Sequence, residues 1–334
     1  MSAALLPWVE AWLPQARAQV LSRHHAWLVV GRRGDGLAHA ARGLAASILC
    51  EHPRGGRACG ECASCRWLSA GAHPDLLHLT VEAGDEETFR LPTIKIDAAR
   101  SAVEFASRSA GSERGRVILV DPADALSTES ANALLKALEE PAADTRWLLV
   151  AERPARLLPT LRSRALRLVL PRPTEAQALD VLLRAGLTEA AARERLRLHL
   201  NAALAVLETS ASDAELVEAR TRFLAALAEP RELSALAWGQ WVDAGGKLGR
   251  RQRFGAILAW LSLWLVERQR VLAGVVPRAL PLETLRSAPA PRDPSALLRY
   301  HRGLLRAFAL PDSTLAPRVQ VERLLLDFRA LFTP

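Results

Sequence analysis

Trp27-Leu28-Val29-Val30-Gly31-Arg32-Arg33-Gly34-Asp35-Gly36-Leu37-Ala38 decides the fold. A short apolar run reaches a glycine-rich turn and leads into a segment with Leu37, Ala41, Leu44 and Ile48 at helical spacing. Further apolar runs follow at Leu76–Val81, Val117–Val120, Trp147–Ala151 and Leu166–Leu170, with amphipathic segments between them. One of these places Ala131, Leu134, Leu135 and Leu138 on one face, after Ser127 as an N-cap and before Pro141 as a stop. Strands alternating with helices predict an α/β fold with a doubly wound parallel sheet.

Beyond Pro171 and Pro173 the strand pattern ends. Thr174 and Thr188 are placed to cap short helices ending near Glu208, and Ser210–Asp213 reads as a linker. From Ala214 the pattern is helical, with a proline-rich interruption from Pro277 to Pro294. Three domains are therefore expected: α/β over 1–170, small helical over 171–210, and all-helical over 211–334.

The chain carries 44 Lys+Arg against 36 Asp+Glu, a formal charge of +8, and 50% of its 334 residues are apolar. This excludes wholesale disorder. Lys95, Lys136 and Lys247 are the only lysines, so arginine supplies nearly all the positive charge. The basic balance favours contact with polyanions without establishing it. Met1–Val20 contains Glu10, Pro14 and Arg17 and lacks a signal-peptide pattern. Phe254–Val266 is uncharged for only 13 residues, whereas a membrane span needs about 20. A soluble, intracellular (cytoplasmic) protein with a buried C-terminal helix is expected.

Cys50, Cys59, Cys62 and Cys65 share one 16-residue window with Cys-x8-Cys-x2-Cys-x2-Cys spacing. Two Cys-x2-Cys turns bring thiolates together from tight loops, and Pro53, Gly55, Gly56, Gly60 and Ser64 supply turn chemistry. A pair of disulfides is the competing reading, but it suits an oxidising compartment. Structural zinc is the reading adopted. Four thiolates fill its coordination sphere and leave no place for a catalytic water.

The loop Gly31–Gly36 has the spacing of a phosphate-binding loop, Gly-x4-Gly followed by Lys and Ser/Thr. Here Leu37 stands at the lysine position and Ala38 at the magnesium-binding hydroxyl. Neither can do that chemistry. Val117–Asp121 resembles the acidic strand of an ATPase, but Pro122 stands where a water-activating glutamate belongs. No bound ATP is expected. Other readings are structural: Leu134, Leu135 and Leu138 as core, and Trp238, Trp241, Trp260 and Trp264 as core or interface rather than base-stacking platforms. His24, His25 and His73 lack ligand partners at useful spacing and are read as structural, and Asn132 and Lys136 share a face open to an interface or DNA backbone.

Ser130–Pro141, with Asn132-Ala133-Leu134-Leu135-Lys136 and Leu138-Glu139-Glu140-Pro141, resembles the corresponding helix of clamp-loader subunits in the AAA+ superfamily. Leu158–Ala165 resembles their Ser-Arg-Cys segment, with Ala165 in place of the usual Cys. The cysteine cluster, Ala72–Asp75 and Ile96–Arg100 also fit; the likeness covers residues 1–210 well and the last third weakly, through Val321–Leu331. The lost lysine, hydroxyl and glutamate resemble the delta-prime branch of bacterial clamp loaders rather than the gamma and tau motors. Glu152 near a sensor position and Asn201 near a lid-helix sensor arginine agree with it.

This resemblance implies an AAA+-type domain with a zinc insertion, a helical lid and a helical collar. It implies gamma/tau motor and delta partners, an indirect relation to the sliding clamp, and primed DNA within the complex. It places Arg164, after Ser163, as an arginine finger serving a neighbouring motor's nucleotide, with Arg162 a weaker candidate. An active gamma/tau-like ATPase and a stand-alone zinc-containing DNA-binding protein are the alternatives.

Overall fold

Five strands account for the predicted apolar runs, and all neighbouring pairs are parallel. The computed structural model describes residues 6–22, 24–81, 93–198, 202–208, 214–291, 293–309 and 316–332. The first compact unit takes in residues 1–84, 92–192 and 201–207. Its elements are α1 (Pro7–Ser22), β1 (Ala26–Val30), α2 (Leu37–Leu49), α3 (Ala63–Ser69), β2 (Leu76–Leu79), α4 (Ile96–Ser107) and β3 (Arg116–Val120). They continue with α5 (Thr128–Glu139), β4 (Thr145–Ala151), α6 (Pro159–Arg162), β5 (Leu166–Val169), α7 (Glu175–Arg184), α8 (Glu189–Leu198) and α9 (Ala203–Glu208); α8 runs past the end of this unit.

The strand order is β2-β3-β4-β1-β5. A central parallel strand must be covered on both faces, so it reads as continuously apolar rather than alternating. Both β1 and β3 are buried at every residue. Leu28, Val30, Ile118, Val120, Trp147 and Leu149 join one core with Leu134 and Leu138 of α5 and Ala99 and Ala102 of α4. The intervening Val29, Leu119, Leu148 and Val150 are equally buried, and α2 packs on β3 and β4.

Local signals act as the sequence implies. The Ser127 side chain accepts from the Ser130 amide at the start of α5. Thr174 and Gln177 form a reciprocal capping box at α7. His25 Nε2 donates to the Leu138 carbonyl near the end of α5, a structural role. The sequence reading lacked α1, whose Trp8, Val9, Trp12 and Leu13 are buried. Asn201 and the Ser210–Asp213 linker lie outside the described residues.

The second unit is helical from residue 208 onward among the described residues. It comprises α10 (Ala214–Ala228), α11 (Ala235–Asp243), α12 (Gly246–Leu272), α13 (Leu282–Ser287), α14 (Pro294–Ala309) and α15 (Pro317–Ala330). The apolar stretch from Phe254 lies in α12 and buries Ile257, Leu258, Leu261, Trp264 and Leu265. No helix among the described residues is long and apolar enough to cross a membrane. Trp238, Trp241 and Trp260 join Phe223 in one aromatic cluster, so this stripe is core.

The proline-rich stretch is more ordered than the sequence suggested, because buried charges on α12 hold it. Glu267 accepts from the amides of Arg278 and Ala279. Arg268 donates to the carbonyls of Leu285 and Ala288, capping α13. Phe328 is fully buried against Trp264, Tyr300 and Phe332. Truncation to Phe328→Ala leaves a cavity that helices cannot close, and should cost about 3–5 kcal/mol. Urea unfolding followed by circular dichroism checks this, with a lowered midpoint expected.

Candidate functional site

The four cysteine sulfurs lie within 4.8 Å of one another. Cys50 caps the end of α2, Cys62 caps the start of α3, and Cys65 sits in the first turn of α3. Cys50 Sγ is 3.9 Å from Cys62 Sγ and 3.7 Å from Cys65 Sγ, and Cys59 Sγ is 3.9 Å from Cys65 Sγ. A tetrahedral zinc–thiolate site with bonds of about 2.3 Å has sulfur–sulfur edges of about 3.8 Å. The donor set therefore fits zinc in size and shape.

The surroundings fit thiolates as well. Backbone amides of Cys59, Gly60, Cys62 and Cys65 donate to the sulfurs of Cys50, Cys65, Cys59 and Cys62 respectively. Burial nevertheless pushes the Cys65 thiol up to about 12 and raises Cys50 too. Holding both as thiolates so close together needs a compensating cation. Gly56 has φ +76, and a Cβ there would lie 2.6 Å from the Pro14 Cα, so glycine lets the insertion approach α1.

The cluster is also anchored from outside. Ser64, between the ligand positions, meets His73 Nε2 at 2.9 Å. Burial lowers the His73 pKa, opposed by the charges of Asp75 and Glu51. Sequence reasoning set His73 aside for want of ligand partners; it lies outside the sulfur cluster but packs beside it. A serine between two ligands, followed by a histidine before β2, was the available signal.

The second candidate site is the carboxyl edge of the sheet. Register pairs Val30 with Ala151, and Val120 with Leu149. Parallel strands thus deliver Gly31, Asp121 and Glu152 to one edge, where α/β folds bind phosphates. The loop before α2 is filled by this chain's own residues. Leu37 is 4% exposed, and its Cδ1 lies 3.0 Å from where a Cβ on Gly31 would stand. Gly34 has φ +79, and a Cβ there would come within 2.7 Å of Ala205 Cβ. The Leu204 amide donates to the Gly34 carbonyl.

The loop also buries a carboxylate of its own, paired within the loop. Asp35 is buried, accepts from Arg32 at 2.9 Å and receives the Trp8 indole N–H on its carbonyl. Its Oδ2 is buried without a hydrogen-bond partner. Ala38 offers no hydroxyl and Pro122 no base; burial pushes the Asp121 carboxyl up, opposed by the charges of His78 and Arg42.

Arg164 lies between α6 and β5, with Ser163 and Arg162 exposed before it. Its Nε donates to Glu139 Oε1 at 2.6 Å and its second nitrogen to the Thr160 carbonyl at 2.7 Å. The sequence reading did not foresee Glu139 as its partner. Asn132 and Lys136 are exposed on the same helix as Glu139. The guanidinium is thus aimed by two acceptors rather than free.

The metal site predicts one zinc per chain on Cys50, Cys59, Cys62 and Cys65. Cys62→Ala should lose it and loosen the insertion while β1, β3 and β4 stay protected, because binding energy at such a site is folding energy. Metal analysis with hydrogen exchange checks this; four thiols reacting freely in fresh, metal-poor protein would contradict it.

Residues 14–174 match the family described as DNA polymerase III, delta subunit. The chain is 40% identical over 185 residues to DNA polymerase III subunit delta' of Pseudomonas aeruginosa, covering 55% of this chain and 54% of that one. It is 38% identical over 161 residues to the Escherichia coli subunit delta', covering 48% and 46%. It is 32% identical to DNA polymerase III subunit tau of Salmonella typhimurium over 51% of this chain and 27% of tau. The matched stretch is about half the length of the curated delta' relatives. Over its N-terminal α/β half, this chain is similar to delta-prime subunits of DNA polymerase III.

Proposed function

We propose that the chain is a non-catalytic subunit of the DNA polymerase III clamp loader, helping to load the sliding clamp onto primed DNA beside gamma/tau motors and a delta subunit. The observation that carries this reading is the filled phosphate loop in a delta-prime-related domain: Leu37 buried, Asp35 buried and paired with Arg32, and Ala205 against Gly34. Productive ATP binding needs a lysine on the β/γ-phosphates and a hydroxyl on magnesium. Neither is present, so turnover belongs to the neighbours and this subunit acts as a fixed member of the ring. Residues 171–210 take the lid's place and 211–334 that of an oligomerising collar.

Arg164 serves in trans on this reading. Its planar fork, held by Glu139 and Thr160, exchanges those acceptors for the γ-phosphate oxygens of a neighbouring motor. Ser163 and the α5–α6 corner set its position. A guanidinium there stabilises charge developing on the transferred phosphoryl group.

The test is reconstitution with motor and delta subunits. Arg164→Ala should assemble normally yet reduce DNA- and clamp-stimulated ATPase and the loading rate. Arginine fingers contribute about 10³–10⁵ in rate. The loss for the whole complex should be smaller, because other motor sites keep their own fingers. Arg164→Lys should rescue poorly, since an ammonium lacks the forked contact. Unchanged loading kinetics in a fully assembled Arg164→Ala complex would overturn the finger, and failure of the wild-type chain to co-elute with the motors would overturn the assignment.

A further inference from the structure

The two arms of the cysteine cluster are bolted together by one buried side chain that is not a ligand. Ser64 is buried between Cys62 and Cys65. Its amide donates to Glu51 Oε1 at 3.0 Å and its hydroxyl to the Leu49 carbonyl at 2.8 Å. Leu49 and Glu51 flank Cys50, so both contacts fix the Cys50 arm against the α3 arm.

The hydroxyl has one proton, and the Leu49 carbonyl takes it. Ser64 Oγ is therefore the acceptor toward His73, whose Nε2 lies 2.9 Å away. That choice leaves His73 Nδ1 as an acceptor, and the Asp75 amide donates to it at 3.0 Å. Every donor in the chain is matched to one acceptor, with a single consistent tautomer.

Asp75 carries the chain onward into the sheet. Its carbonyl accepts from the Val117 amide at 2.9 Å, and its Oδ1 accepts from the Gly111 amide at 2.8 Å. The Arg116 guanidinium stands 3.5 Å from the same Oδ1 and stacks 4.7 Å over the Phe105 ring. Asp75 immediately precedes β2, an outer strand of the sheet, which pairs with β3 from Leu76 onward. His73 and Asp75 are both buried, so water competes poorly for these bonds.

We propose that Ser64, His73 and Asp75 form a polar relay that couples metal occupancy of the cysteine cluster to the order of the β2 edge. This rests on the zinc reading of the four cysteines. Ser64 and His73 are positioning residues: they bond no cysteine, but through Leu49 and Glu51 they fix the arms that carry the ligands, a step outside the partners that bond ligands directly. The coupling is reciprocal: zinc holds the edge, and the edge tightens zinc.

The test uses the full chain with Ser64→Ala, His73→Ala and His73→Gln. Zinc affinity from chelator competition should fall about 10–100-fold in the first two. His73→Gln should recover part of the loss, because its amide still donates to Ser64 Oγ. In the wild type, chelation should speed hydrogen exchange at residues 75–79 and 109–117 far more than in β1 or β4. In Ser64→Ala that zinc-dependent difference should shrink, even with metal saturating. Cobalt substitution reports the site directly, and the variants should shift the thiolate charge-transfer bands. Wild-type affinity in both Ser64→Ala and His73→Ala overturns the relay and leaves the zinc site standing. Edge exchange indifferent to zinc overturns it too. A wild-type chain that binds no zinc overturns the metal centre itself, and the relay with it.

Discussion

Because the five strands run in one direction, β1, β3 and β4 end side by side, and Gly31, Asp121 and Glu152 share one edge. A parallel sheet offers that edge to a ligand whether or not the residues there can use it. In this chain, residues of its own crowd the loop at that edge. Leu37 is buried beside Gly31, Ala205 closes on Gly34, and the buried Asp35 pairs with Arg32. Burying Leu37 is favourable by roughly 1.5–3 kcal/mol relative to exposure, so the force that builds the core also helps to fix the loop's conformation.

The same domain carries a cysteine cluster whose sulfur spacing suits zinc, inserted between α2 and β2. It also presents the α5–α6 corner, where Glu139 and Thr160 aim Arg164. Neither feature depends on nucleotide in this chain. Both depend on the sheet that fixes the ends of α2 and α5.

Much of this was legible in the sequence, for identifiable reasons. Strand runs such as Val117–Val120 stand out because both faces of a central parallel strand are buried, and caps such as Ser127 and Thr174 are local signals. Cysteine spacing needs no tertiary information to suggest a metal. What stayed hidden were interactions between distant residues. Helix α1 is a different case: Trp8, Val9, Trp12, Leu13, Ala16 and Val20 stand at helical spacing in the sequence, but Pro14 interrupts the run and masks it. The ordering of the Pro277–Pro294 stretch comes from Glu267 and Arg268 on another helix. Likewise the Glu139 partner of Arg164 is 25 residues away, and the Gly34–Ala205 contact joins the first strand-to-helix turn to α9.

On the proposed reading the phosphate loop takes no nucleotide, because residues of this chain fill it. Calorimetric titration of the isolated chain with Mg·ATP tests it most directly, alongside a Leu37→Lys/Ala38→Thr double variant. The account predicts no saturable binding and no hydrolysis in the wild type, and no turnover in the variant, where Pro122 still withholds a base. Saturable micromolar binding with measurable ATP hydrolysis by the wild-type chain would contradict it and point to a motor subunit.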